Sequence, residues 1–141
     1  MKMFVVFVAL LVVAVPASAQ LSLSMSGDLC PGDTVTASVS GGGSDLLTFL
    51  AAATSQGSTT LLGGPFGVTI DLSAPFIILP IGTTDSNGDV SQSATFPANL
   101  PPSVLPNELH FQAATLAFSF GGGFPMTIET SNVATITSAC P

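Results

Sequence analysis

His110 is the only histidine in the chain, and Glu108 and Gln112 stand two residues away on either side of it. An imidazole beside a carboxylate is the pairing that makes a general base, able to take a proton from a serine hydroxyl. Residues two apart on a strand share a face, so Glu108 and His110 lie together while Leu109 and Phe111 point the opposite way. That parity predicts a solvated face for His110. No serine is marked by its neighbours as strained or activated, and neither G-x-S-x-G nor H-E-x-x-H occurs. The expectation is a solvent-facing strand histidine and no catalytic residue.

The second stretch with chemical potential is Thr84-Asp85-Ser86-Asn87-Gly88-Asp89. Oxygen donors at Asp85, Asn87 and Asp89 have the alternation of half a Ca²⁺ loop, and Ca²⁺ takes six or more oxygens. The bidentate glutamate that completes an EF-hand is missing, because its position is held by Phe96. The competing expectation is a type I′ hairpin turn between Ile81 and Val90, with Asn87-Gly88 supplying its two positive-φ residues. No other cofactor is implied. Glycan recognition needs exposed aromatic platforms, and the chain has no Trp or Tyr. Phe66 and Phe124, beside Gly-Pro and Phe-Pro turns, are the two phenylalanines placed for that role.

Cys30 and Cys140 complete the list. Two sulfurs without a nearby histidine cannot build a structural zinc site, and Cys140 has no adjacent base to activate it. The expected outcome is a disulfide within the chain, with pairing between chains or free thiols as the alternatives. The bridge closes a loop of roughly 110 residues, which the chain-entropy treatment values at about 4–5 kcal/mol. It requires the first and last strands to end side by side.

The scaffold that carries these groups is weakly charged. The 141 residues include eight Asp and Glu but a single Lys or Arg, Lys2, while 47% are hydrophobic and only 6% charged. Nucleic-acid binding needs several cations to neutralise phosphates and is excluded. Met1-Lys2, the apolar run Met3 to Val15 and Pro16-Ala17-Ser18-Ala19 read as a secretory signal with cleavage after Ala19. The run is shorter than the ~20 residues of a bilayer span. The expected mature chain, Gln20 to Pro141, is extracellular or held in the cell envelope, has no membrane span and carries eight carboxylates against no basic side chain.

Beyond Gln20 the apolar stretches are short and cut by Gly, Pro, Asn and Asp, which predicts an all-β domain. Strands are expected at Thr34–Val39, Leu46–Ala53, Thr59–Leu62, Gly67–Leu72, Phe76–Ile81, Asp89–Phe96, Glu108–Phe120, Met126–Thr130 and Asn132–Thr137. Leu21 to Met25 is a candidate free strand able to complement a neighbouring molecule. Pro97 to Pro106 is a connection between sheets, since proline cannot donate to a ladder. The apolar parity of Glu108–Phe120 switches between Ala113 and Leu116, which predicts an extra residue, a β-bulge, near Ala113-Ala114. Together these elements predict one domain, an antiparallel two-sheet Ig-like β-sandwich.

Pro31-Gly32-Asp33, then Thr84-Asp85-Ser86-Asn87-Gly88, then Leu109-His110-Phe111-Gln112, then Ser131-Asn132 form an ordered series. The series resembles a family of small secreted bacterial Ig-like β-sandwich domains of unknown function, with a T-D-x-x-G turn, an L-x-F-Q strand and a late S-N. The resemblance implies fold and secretion and carries no active site; the cysteine pair lies outside its pattern. The resulting expectation is a secreted, non-enzymatic structural or interaction module acting through sheet edges and loops, with a protein partner or self-association. The alternatives are a Ca²⁺- or glycan-binding module and a hydrolase with an unrecognised site.

Overall fold

The computed structural model describes residues 20–61, 67–118 and 126–140. The expected signal segment, Phe66 and Phe124 lie outside the described residues. Nine strands are described: β1 (Ser22–Ser26), β2 (Thr34–Ser40), β3 (Leu47–Ala53), β4 (Gln56–Leu61), β5 (Val68–Leu72), β6 (Phe76–Thr83), β7 (Val90–Thr95), β8 (Glu108–Phe118) and β9 (Met126–Thr137). All pairings are antiparallel. One sheet has the order β1-β2-β7, a second β6-β3-β8-β9, and β4 and β5 form a separate hairpin.

The three-stranded sheet follows binary patterning closely. Ser22, Ser24 and Ser26 alternate with the inward-facing Leu23 and Met25, and Thr34, Thr36 and Ser38 alternate with the buried Val35, Ala37 and Val39. Across β2 and β7 the outward hydroxyls bond one another, Thr34 to Thr95 at 2.8 Å and Thr36 to Ser93 at 2.8 Å. Polar-out and apolar-in then fixes register, because a one-residue slip would put serines in the core. Leu21, Leu23, Leu29, Val35, Ala37 and Val39 meet Leu50, Ala52, Ile81, Phe111, Ala113 and Ile136 of the opposite sheet in one apolar cluster.

Leu21 to Met25 is therefore not free: β1 pairs with β2 of its own chain. Its other side is held by Asn132, whose Oδ1 accepts from Leu23 N at 2.9 Å and whose Nδ2 donates to Leu23 O at 3.0 Å. One side-chain amide thus stands in for a neighbouring strand.

The bulge occurs where expected but on the other strand. β8 keeps an unbroken register with β3, whereas opposite β9 the partners jump from Gln112↔Val133 to Ala114↔Thr130. The extra residue belongs to Ser131-Asn132. Ser131 is buried and repairs the break, its Oγ accepting from Ala113 N at 2.9 Å and donating to Asn132 O at 2.7 Å. Met126 to Thr137 is accordingly one bent strand instead of two.

The Thr84–Asp89 segment also differs from expectation. It links β6 of one sheet to β7 of the other, so it is not a hairpin turn, and only Gly88 has positive φ, at 81°. Gly88 N donates to Asp85 O at 3.0 Å and Asp85 N to Asp89 O at 2.8 Å, the pattern of a three-residue loop ending in a glycine bulge. A Cβ on Gly88 would overlap the carbonyl oxygen of Gly42. Thr84 is buried, its Oγ1 accepting from Leu46 N at 2.9 Å and donating to Gly43 O at 2.6 Å. Pro97 to Pro106 does carry the chain between sheets, through a 3-10 turn at Pro102–Val104.

Cys30 and Cys140 are bridged, with Cα atoms 5.5 Å apart and a sequence separation of 110. The bridge joins the segment after β1 to the segment after β9. Exchanging both cysteines for serine is expected to lower the unfolding free energy by about 2–5 kcal/mol, read from urea denaturation. A second measurement concerns Thr115, whose buried Oγ1 has no partner among the described residues. Thr115→Val is expected to leave stability unchanged or to raise it by up to about 1 kcal/mol, whereas Thr84→Val, which abandons two bonds, costs about 1–3 kcal/mol.

Candidate functional site: an apolar cleft on the outer face of the central sheet

The four-stranded sheet is covered on both sides. Its inner face meets the β1-β2-β7 sheet, and β4–β5 lies against its outer face through Ala51, Ala53, Ile70 and Leu72, with Leu61, Phe76 and Val133 packed around them. Leu47–Ala53 has the sequence to accept this, since five of its seven residues are buried and three consecutive small alanines, Ala51 to Ala53, follow Phe49 and Leu50.

The covering layer changes the environment of His110 and Gln112. Both were expected on a solvated face, and both are buried, His110 being 6% and Gln112 2% exposed. His110 Nδ1 lies 2.9 Å from Thr135 Oγ1 and 3.2 Å from Gln56 Nε2, and its Nε2 lies 3.4 Å from Glu108 Oε1. The Gln56 amide nitrogen can only donate, which makes Nδ1 the acceptor and leaves the ring proton on Nε2 toward the carboxylate. A hydroxyl, an imidazole and a carboxylate are thus in series, the order of a nucleophile, a base and its orienter. Yet Nδ1 is shared between Thr135 and Gln56, and Gln56 opens β4. The ring fastens the covering hairpin to β8 and β9.

Gln112 is the second fastener. Its Oε1 accepts from Asp71 N at 2.7 Å, and its Nε2 donates to Ser131 O at 2.8 Å and to Asp71 Oδ2 at 3.2 Å. Asp71 is the outward residue of β5 between Ile70 and Leu72, so one amide joins β5, β8 and the bulge of β9. Both amide hydrogens are used.

Beside Gln112 the hairpin and the sheet separate and leave a cleft of about 390 Å³. The sheet contributes Phe49 and Ala51 of β3, Ile78 of β6, Ala114 and Leu116 of β8 and Ile128 of β9; the hairpin contributes Leu61, Val68 and Ile70. Among the described residues Gln112 is the only polar side chain in the lining. The parity switch in β8 has its origin here. Leu116 does not turn inward through a bulge but continues the outward row of Gln112 and Ala114, where an apolar residue has a partner surface. The volume falls within the roughly 300–1,000 Å³ typical of small-molecule sites.

The Asp85 loop has a different character. Asp85 Oδ1 accepts from Asn87 N at 2.8 Å and from Asp89 N at 3.0 Å, so the carboxylate closes its own turn. Among the described residues no group of three or more His, Cys, Asp or Glu is placed to hold a metal ion. A different surface feature is β6, an edge strand whose Ile77, Ile78 and Leu79 are about half exposed. The chain matches no protein-family model, and the comparisons found no matching curated protein and no matching solved structure.

Sequence reading missed the cleft because its lining comes from six strands, each apolar residue looking like ordinary strand core. The signal that was present is Leu116, an apolar residue out of phase with Phe111 and Ala113. Replacing Gln112 by leucine removes the bonds to Asp71 N and Ser131 O while keeping the volume. The expected result is a loss of about 1–3 kcal/mol in denaturation, with faster amide exchange confined to β5 and to Ser131 and its neighbours.

Proposed function

We propose that the protein is a secreted, non-enzymatic interaction module, a disulfide-bridged Ig-like β-sandwich that binds an apolar ligand in the cleft between β4–β5 and the outer face of the central sheet. The cleft carries this reading. Among the described residues it is lined by ten apolar residues, Ala113 included, around one amide whose hydrogens are already bonded, so it can hold a ligand by burial while those residues offer no acid, base or nucleophile to transform one.

Other observations support the remaining parts. The order β1-β2-β7 against β6-β3-β8-β9, with crossings between sheets after β2, β6 and β7, supports the Ig-like description. The Cys30–Cys140 bridge favours an oxidising compartment, in line with a leader ending at Ala19 and a single domain from Gln20. Among the described residues no helix is long and apolar enough to cross a membrane. The apolar edge at Ile77–Leu79 supports contact with a protein partner as a further use of the same module.

The test is binding of N-phenyl-1-naphthylamine, an uncharged fluorophore that brightens in apolar surroundings. The native chain is expected to bind it saturably, and Ala114→Phe, which fills the cleft, to lose at least tenfold in affinity while its thermal midpoint stays close to that of the native chain. Absence of saturable binding, or equal binding by Ala114→Phe, would remove the cleft from the account. Ala114→Leu provides a smaller filling step should the phenylalanine disturb folding.

A further inference from the structure

Primary amines are nearly absent from this chain, and the residue that would supply the last one sits at a defined place in the fold. Lys2 is the only Lys or Arg, and it lies within the stretch read as a leader ending at Ala19. Removal of that leader, the reading on which this inference rests, takes the lysine away and creates one new amine, the α-amine of Gln20. Glutamine is able to react with its own α-amine. The nitrogen meets the side-chain carbonyl carbon, Cδ, by closing an unstrained five-membered ring of N, Cα, Cβ, Cγ and Cδ.

The fold leaves Gln20 free to do so. Leu21 is buried and Ser22 opens the β1–β2 ladder opposite Ser40, whereas Gln20 is exposed. A cut after Ala19 therefore leaves a single residue outside the packed strand. The Gln20 carbonyl oxygen rests against Gly41, where a Cβ would approach it to 2.6 Å. That contact holds the carbonyl side of the residue, and ring closure uses only the opposite side, the nitrogen and the side chain. Neither the burial of Leu21 nor the pairing of β1 with β2 is disturbed.

The surroundings keep the amine reactive. Gln20, Leu21 and Ser22 face Thr130, Ser131 and Asn132 across an open groove of about 350 Å³, which gives the ring room to form. Among the described residues no carboxylate lines that groove. An ion pair would hold the proton on the nitrogen and so occupy its lone pair, and the groove residues supply none. An ordinary α-amine titrates at about 7.7–8.0, so near neutral pH a share of it is unprotonated and nucleophilic.

We infer that Gln20 is a modification site, the amino-terminal glutamine of the exported chain closing on itself to a pyroglutamyl residue. The α-nitrogen lone pair attacks Cδ, an N–Cδ bond forms and the Cδ–Nε2 bond breaks; one proton of the α-amine passes to Nε2, which leaves as ammonia. Nothing is oxidised or reduced, and no co-reactant is consumed. The product keeps all eight carboxylates and has neither a primary amine nor a Lys or Arg. It offers no free amino end to an ordinary aminopeptidase and no target to an amine-seeking electrophile.

The experiment expresses the full chain with its own leader in an exporting bacterial host and stores the recovered protein at mildly alkaline pH until its mass is constant. Intact mass is then read, and the amino-terminal peptide is fragmented. The expected mass is that of the bridged chain from Gln20 to Pro141 less one ammonia, with the loss located in Gln20. A biotin N-hydroxysuccinimide ester is expected to leave this protein unlabelled and to add one label to Gln20→Asn, because asparagine would have to close a strained four-membered ring. A chain that begins at Gln20 and keeps its ammonia, or takes up one label, overturns the modification while the leader reading stands. A chain that begins at any other residue overturns the leader reading and the modification together. An ammonia loss that persists in Gln20→Asn comes from elsewhere in the chain and counts against Gln20 as its source.

Discussion

The structure depends on burying both faces of β3 and β8. A two-layer sandwich leaves one face of each sheet in water, and the β1-β2-β7 sheet keeps that arrangement, with serine and threonine outside. The central sheet cannot, because Phe49, Ala51, Ala53, Ala114 and Leu116 lie on its outer side. The chain answers by spending the segment between β3 and β6 on a hairpin that covers them. With only eight carboxylates for surface polarity, a bare apolar sheet face would have been an aggregation surface.

Covering the second face has a cost that the polar residues reveal. Backbone and side-chain groups on that face lose water and must find partners inside. His110 and Gln112 supply them, one holding β4 and the other β5, and Ser131 supplies another where the β8–β9 ladder breaks. The bulge at Ser131-Asn132 serves two ends at once: its serine restores the ladder and its asparagine closes the open edge of β1. Groups that look like candidates for catalysis are therefore the fasteners of a third layer. Where the fastening stops, next to Gln112, the layers part and the cleft begins.

The scarcity of cations shapes how the fold is held. The described residues hold eight carboxylates and no Lys or Arg, and apart from Glu108 beside His110 they form no ion pair, so their stability rests on apolar burial, hydrogen bonds and the Cys30–Cys140 crosslink. The same scarcity leaves the cleft without a counter-ion.

The amino-acid sequence alone determined the all-β class, most strand positions, the sheet-crossing proline segment and the cysteine pairing, because each rests on local alternation, on turn chemistry or on there being only two sulfurs to pair. It also marked the neighbourhood of Ala113 as irregular. Tertiary structure decided which strand carries the extra residue, that Leu21–Met25 is used within its own chain, and that the Asn87-Gly88 loop joins two sheets. It decided the fate of His110 and Gln112 too. Alternation tells which residues share a face, but whether that face meets water or a third layer depends on where a hairpin 41 to 54 residues earlier comes to rest, and period-two patterning contains no information about that.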